Sequence, residues 1–333
     1  EVSTFVENER AGYIHTLISL ESPSRAFTTA QSLQVKAQAL RAFSAQRLQP
    51  LGVTLERQET IPAFNMLVAR VPINRVNQIK SLSRVRAVSR NKFISVSDYE
   101  QLESGDYPTP EEISSFHSVG ELPTCRENMT VAVVDSGSPR ADWVEKAVTV
   151  TDSNPIAEFF HGAAVSRVVH GVAPNAELVS VKTLGPTGTA RLSTVIDGIQ
   201  KAATMEPSVE VVNLSIGTSP SLFSPLDRAC NTVLREYGVS AIIVSAGNTG
   251  DEETSPATAE STVSVGALDE TGRKVASYSA KDYDILAIGN VEVEALGETM
   301  RVRGTSFSAP VVSAMFARRL SGDVGVPYSR VDA

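Results

Sequence analysis

Four short runs, residues 131–134, 178–181, 209–214 and 241–244, constrain the fold of this chain more than any other feature. Each is dominated by Val, Ile and Leu and lacks the strict polar alternation of a half-exposed strand, so each reads as a strand buried on both faces. Helical stretches over 162–169, 194–205 and 226–237 separate them. Strand and helix in alternation imply right-handed βαβ crossovers, and so an α/β fold with a doubly wound, mostly parallel sheet. A length of 333 residues leaves room for a second domain.

The first hundred residues have a different texture. Residues 13–20 alternate as a strand does, and a long helix carrying Leu33, Ala37, Leu40, Phe43, Leu48 and Leu51 on one face ends near Gly52. Strands begin at Thr54 and Asn65, a second helix covers 74–82, and a last strand covers 85–97. The order βαββαβ is the split βαβ pattern, which predicts a small α+β, ferredoxin-like domain over 1–97. Residues 98–128 are acidic and interrupted by Pro and Gly, with one short helix over 111–117, and read as a linker and processing region. The larger α/β domain takes 129–333.

Composition removes several function classes. A net charge of -8 does not suit sequence-independent binding of nucleic acid, which needs clustered positive charge. No apolar run approaches the roughly 18 to 20 residues that span a bilayer. The chain starts at Glu1 without an initiator Met, so a secretory leader would already be missing from it. Two cysteines, Cys125 and Cys230, exclude a disulfide-rich scaffold and a four-thiolate zinc site, and two buried free thiols are expected rather than a bridge. No strand leads into a GxGxxG or GxxxxGK[ST] loop, which disfavours a nucleotide-binding α/β protein.

There are four histidines from which a general base could come. His15 lies in the first strand and His117 in the linker, where surface or packing roles are expected. His161 precedes Gly162 at a helix start and could project into a cleft at the sheet edge, whereas His170 closes the same helix and suits its negative dipole end. Asp135 ends the run Val131-Ala132-Val133-Val134, at the edge where open α/β sheets build their sites, although a strand-end Asp alone is as readily a turn former. Ser306 stands in Gly304-Thr305-Ser306-Phe307-Ser308-Ala309-Pro310, a small-residue turn entering an apolar helix, where unpaired N–H groups favour an oxyanion and Pro310 loses little hydrogen bonding. Asn248 follows the strand 241–244 and could present its amide to the same point or serve only as a turn residue.

The blocks around Asp135, His161, Asn248 and Ser306, in that order, resemble the four signature segments of the subtilases, and the likeness runs over about 131–320. That resemblance implies a serine endopeptidase acting on protein or peptide substrates, with Ser306 as nucleophile, His161 as general base and then acid, and Asp135 fixing the imidazole tautomer. Asn248 and the Ser306 N–H would form the oxyanion hole. Ser215-Ile216-Gly217 resembles the segment that pairs with extended substrate. More weakly, 1–97 resembles the inhibitor-like propeptides of the same family. The chain would then be a secreted zymogen whose propeptide stays bound as an inhibitor, with self-cleavage between residues 96 and 106 and Tyr99 as the favoured site.

The pattern also departs from the family. Ala163-Ala164 stands where relatives usually carry Thr-His, and the stretch 161–171 is too short for the loop that holds a tight calcium. No cofactor is required and no metal ligand is assigned, although Asp251, Glu252 and Glu253 offer oxygen ligands in what reads as a solvated loop. A subtilase-like fold with a silent triad, used only for binding, is the alternative, and 1–97 could be an unrelated binding module.

Overall fold

The computed structural model of the chain describes residues 12–21, 29–96, 100–102, 105, 107–117, 129–219 and 224–321. Its N-terminal part runs β1 (Tyr13–Leu20), α1 (Ala30–Phe43), β2 (Thr54–Ile61), β3 (Met66–Pro72), α2 (Val76–Lys80) and β4 (Val85–Arg90). These strands form one antiparallel sheet in the order β2-β3-β1-β4. Successive side chains of a strand point to opposite faces. Ile18, Leu67, Ala69 and Val71 therefore pack with Leu40, Phe43 and Leu48 from α1 and the turn after it. Leu17, Met66 and Val68 face the other way and join a cluster shared with the rest of the molecule. The Thr29 hydroxyl caps α1 by accepting from the Ser32 N–H, and the chain leaves the helical region at Gly52, whose φ of +78° favours a residue without Cβ.

The single strand expected over 85–97 is two strands. Asn91 and Lys92 interrupt it, and β5 (Phe93–Val96) leaves the small sheet altogether. The interruption has a definite cause. The Asn91 N–H donates to the His15 carbonyl at 2.9 Å, while its side-chain Oδ1 accepts from the Ser193 N–H at 2.9 Å and its Nδ2 donates to the Ser193 hydroxyl at 3.0 Å. Asn91 thus satisfies an N–H in the first turn of a helix far along the chain that has no side-chain cap of its own. Alternating apolarity cannot reveal such a break, because Phe93, Ile94 and Val96 continue the β pattern.

After β6 (Glu100–Gln101) and α3 (Pro110–Phe116), the larger part follows: β7 (Thr130–Asp135), β8 (Val144–Thr149), α4 (Phe160–Val172), β9 (Glu177–Lys182), β10 (Thr189–Arg191), α5 (Leu192–Ala203), β11 (Val211–Leu214), β12 (Ile216–Gly217), α6 (Pro225–Glu236), β13 (Ala241–Ser245), β14 (Val263–Leu268), β15 (Ile285–Ile288), β16 (Asn290–Ala295), β17 (Glu298–Arg303) and α7 (Thr305–Leu320). Seven of these strands form a parallel sheet in the order β15-β14-β13-β11-β7-β9-β8. Both faces are covered. Val131 and Val133 of β7 pack with α4 and α7, and Ala132 and Val134 pack with α5 and α6. After β7 the chain builds one side of the sheet with the edge strand β8 and then β9, and later returns to the other side with β11, so a topological switch lies between β7 and β11. Ligands of open α/β sheets bind outside the strand ends at such a switch.

The second face is also where the small sheet docks, since Leu17, Ile61, Phe64, Met66 and Val68 belong to one cluster with Val195, Ile196, Ile199 and Leu226. The segment expected as linker is partly packed on the larger body too. A capping box between Thr109 and Glu112 starts α3, Ile113 is fully buried, and Glu111 pairs with Arg167 of α4 at 2.6 Å. Cys230 is a buried free thiol, whereas Cys125 lies outside the described residues.

His117 ends α3, and its Nε2 accepts the Ile288 N–H at 3.0 Å. Only the neutral imidazole can accept there, and burial holds its pKa below the ordinary 6.5. Its contribution to stability is therefore complete above that ordinary value and is lost as the pH falls through it towards the lowered one. The melting temperature of the parent should fall faster than that of His117→Gln between about pH 7.5 and pH 5. Parallel curves would show that this imidazole does not titrate with unfolding.

Candidate active site

Asp135 and His161 pair at the C-terminal edge of the parallel sheet, and the start of α7, where Ser306 stands 145 residues after His161, lies against the imidazole; none of the three residues has exposed surface. Asp135 is the last residue of β7. Its carbonyl accepts the Thr183 N–H at 2.7 Å and the Thr183 hydroxyl at 3.2 Å, and its Oδ1 accepts the Ser136 N–H at 2.7 Å. His161 is the second residue of α4, and its Nδ1 lies 3.0 Å from both carboxylate oxygens of Asp135. A carboxylate on Nδ1 fixes the tautomer with the proton on that nitrogen and aims the lone pair of the other outward.

Ser136 sets the approach of α4 to β7. Its hydroxyl donates to the Phe159 carbonyl at 2.9 Å and accepts the Gly162 N–H at 2.8 Å. A Cβ on Gly162 would come within 2.7 to 2.9 Å of backbone atoms of Gly137 and Ser136. The glycine after the histidine is thus needed for close approach of helix to strand.

Ser306 lies at the second position of α7, among the N–H groups that a helix leaves unbonded at its start. Four residues later Pro310 cannot donate to the Ser306 carbonyl as an ordinary residue would. The Ser215 hydroxyl donates to it instead, at 2.8 Å. The proline therefore does cost a helical hydrogen bond, contrary to the sequence expectation, and a side chain from the end of β11 restores it. In return the Ser306 hydroxyl donates to the Ser215 carbonyl at 3.1 Å. Asn213 donates to the Ser215 hydroxyl at 2.9 Å and accepts from Ser313 of α7 at 2.9 Å, which completes a buried network between β11 and α7. The His161 ring stands 5.6 Å, centroid to centroid, from the ring of Phe307, the residue after Ser306.

Asn248 follows β13. Its Oδ1 accepts both the Thr305 N–H, at 2.8 Å, and the Thr305 hydroxyl, at 2.9 Å. A backbone N–H can only donate, so this contact settles which way the amide faces and turns Nδ2 away as a donor. Gly304 leaves space for it, because a Cβ there would lie 3.2 Å from Nδ2. Ile216 and Gly217 pair antiparallel with Val96 and Ser95 of β5, whose other edge pairs with β10. An extended segment of the chain thus lies between two strands, with Ile94 and Val96 turned inward at 4% and 8% exposure. A cavity lined in part by Val96, Gly217, Asn248 and Thr254 opens next to it.

The other candidates lie elsewhere. His15 pairs with Glu56 across the small sheet, His117 is bound to Ile288, and His170 stacks on Trp143 at 4.4 Å. Asp251, in the acidic loop, is engaged by Lys281 at 2.6 Å, which holds its carboxyl below the usual range. Among the described residues no group of three or more His, Cys, Asp or Glu is placed to hold a metal ion. Sequence reasoning missed Ser136, Asn213, Thr305 and Ser313. For Asn213 a signal existed, namely an amide in the middle of an otherwise apolar strand.

The family model of the subtilases matches residues 148–324, a stretch that holds His161, Asn248 and Ser306 but begins after Asp135. The chain is 30% identical over 200 residues to a cuticle-degrading serine protease of Arthrobotrys oligospora, a match covering 57% of this chain and 48% of that protein. It is 26% identical over 344 residues to the minor extracellular protease Vpr of Bacillus subtilis, covering 87% of this chain and 41% of that one. The crystal structure of a cold-adapted subtilisin-like serine proteinase superposes with a TM-score of 0.52 at 27% identity, over 58% of this chain and 76% of that one. The chain spans about half the length of the curated relatives it matches. With more than half of its residues matched by the family model, the chain belongs to the subtilase family.

Proposed function

We propose that the chain is a serine endopeptidase in which Ser306 attacks the substrate carbonyl, His161 takes its proton and then delivers it to the leaving amine, and Asp135 holds the imidazole and stabilises its charged form. The single observation that carries this reading is the convergence of the buried Asp135–His161 pair with the start of α7, where Ser306 stands. For attack the hydroxyl turns from the Ser215 carbonyl towards the imidazole, the kind of tightening that occurs on substrate binding. The Asn248 Nδ2 and the Ser306 N–H stabilise the oxyanion, and water then hydrolyses the acyl-enzyme. Ser215, Ile216 and Gly217 hold the substrate backbone as an added strand.

The same reading makes residues 1–97 an inhibitory, ferredoxin-like propeptide and 129–333 the catalytic domain, joined by the processing region 98–128. Two observations support it. The small sheet is apolar on both faces and would expose Leu17, Phe64, Met66 and Val68 if separated, and β5 occupies the strand position that a substrate would take. Substrates are proteins or peptides, and the propeptide is the first of them. The described part of the chain contains no helix long and apolar enough to cross a membrane. Secretion is the reading that agrees with the extracellular relative.

Ser306→Ala should lower peptide hydrolysis by about 10⁶-fold, the scale of loss when such a triad is broken in this family. Asn248→Ala should lower kcat by about 10²–10³-fold with KM little changed, as loss of one oxyanion donor does in a related peptidase. A raised KM at unchanged kcat would remove Asn248 from the oxyanion site, and undiminished turnover in Ser306→Ala would overturn the mechanism. Terminal sequencing of the active protein should find a new N-terminus between residues 96 and 106, a stretch that includes Tyr99 and other residues outside those described. A terminus within β1 to β4 would contradict the propeptide assignment.

A further inference from the structure

The chain departs from the site on a second track. After β5 only residues 97–99 intervene before β6, which pairs antiparallel with the edge of β17 opposite β16. Gln101 lies across from Val302 and Glu100 from Arg303, and the Leu102 N–H donates to the Arg301 carbonyl at 2.8 Å. β17 leads directly into Gly304, Thr305 and Ser306. Two sheet edges therefore hold the chain, β12 at residues 95–96 and β17 at residues 100–101, and β17 is the strand that runs into the candidate nucleophile.

The second grip carries a charge contact that the first lacks. The Arg303 Nε donates to Glu100 Oε2 at 3.0 Å, and its Nη2 contacts the same oxygen. Behind it the guanidinium lies 5.5 Å from the centre of the Tyr278 ring, whose hydroxyl donates to Asn290 at 3.0 Å. The ring anchored on β16 backs the guanidinium while its fork faces the incoming chain. Asp98, Glu103 and Asp106 make the surrounding segment acidic as well.

We propose that Arg303, on the edge of β17, sets a charge preference on the leaving-group side of the substrate, selecting a carboxylate side chain close beyond the scissile bond. This rests on the peptidase reading above. Backbone pairing gives the bound segment its direction, and Arg303 gives a preference for acidic over basic chains. Because the pair is partly exposed, the selectivity is about two- to fivefold per contact rather than orders of magnitude.

The test uses two readouts. The processed enzyme is given a peptide of the chain's own residues 92–102 and its E100K counterpart, and the ratio of kcat/KM is taken within each enzyme so that differences in basal activity cancel. The parent should favour the native peptide, and Arg303→Glu should favour E100K. Equal ratios in both enzymes overturn the proposal. In parallel, hydrogen exchange over residues 100–102 is followed in the full chain carrying Ser306→Ala. Glu100→Lys or Arg303→Glu alone should speed exchange, and the two together should restore protection; an unchanged rate in every variant overturns the contact. If the parent cleaves neither peptide, the peptidase reading fails, and exchange alone decides whether Arg303 holds the carboxylate.

Discussion

Burial of the Asp135 carboxylate against the His161 imidazole is the constraint from which the rest of this architecture follows. Neither group has exposed surface, and a charge taken out of water is tolerated only when its bonding capacity is met. Asp135 meets it with the imidazole and the Ser136 N–H, and that requires α4 to come against the end of β7. Gly162 allows the approach and the Ser136 hydroxyl bridges it. The geometry of the candidate site is thus a property of strand and helix packing, not of loops, and sites set on such rigid elements are held most closely.

The opposite wall of the site obeys the same logic. Pro310 leaves a carbonyl of α7 without its usual donor, and Ser215, held by Asn213, replaces it. The replacement ties the end of β11 to the start of α7, so the segment that pairs with an extended chain and the serine beside it are fixed by one polar network. Each buried member left without a partner would cost about 1–3 kcal/mol. That is a strong reason for these residues to be Ser and Asn in an otherwise apolar layer.

Much of this was legible in the sequence, for physical reasons. Strands buried on both faces leave unmistakable runs such as 131–134 and 241–244, and the helices between them carry 3.6-residue patterns. The site residues stood at strand ends and helix starts, where the four blocks around Asp135, His161, Asn248 and Ser306 could be recognised. What stayed hidden depends on distant partners. The break at Asn91 exists because Ser193, about a hundred positions later, needs an acceptor. β6 exists because β17 has an open edge, and two residues make no periodicity. β8, with Glu145 and Lys146 side by side, gave too weak an alternation to be read as a strand, whereas the β16–β17 hairpin was missed although Val291, Val293, Met300 and Val302 alternate with polar residues as half-buried strands do.

The central claim is that Ser306, His161 and Asp135 act as one chemical unit. It is tested most directly by incubating the chain, cut between residues 96 and 106 as proposed, with excess fluorophosphonate and mapping adducts by mass spectrometry, since only an activated serine is phosphonylated. One adduct is predicted, on the tryptic peptide spanning residues 304–318, and none in a His161→Ala chain. A chain that stays unlabelled, or one that labels equally well without the imidazole, would contradict the account.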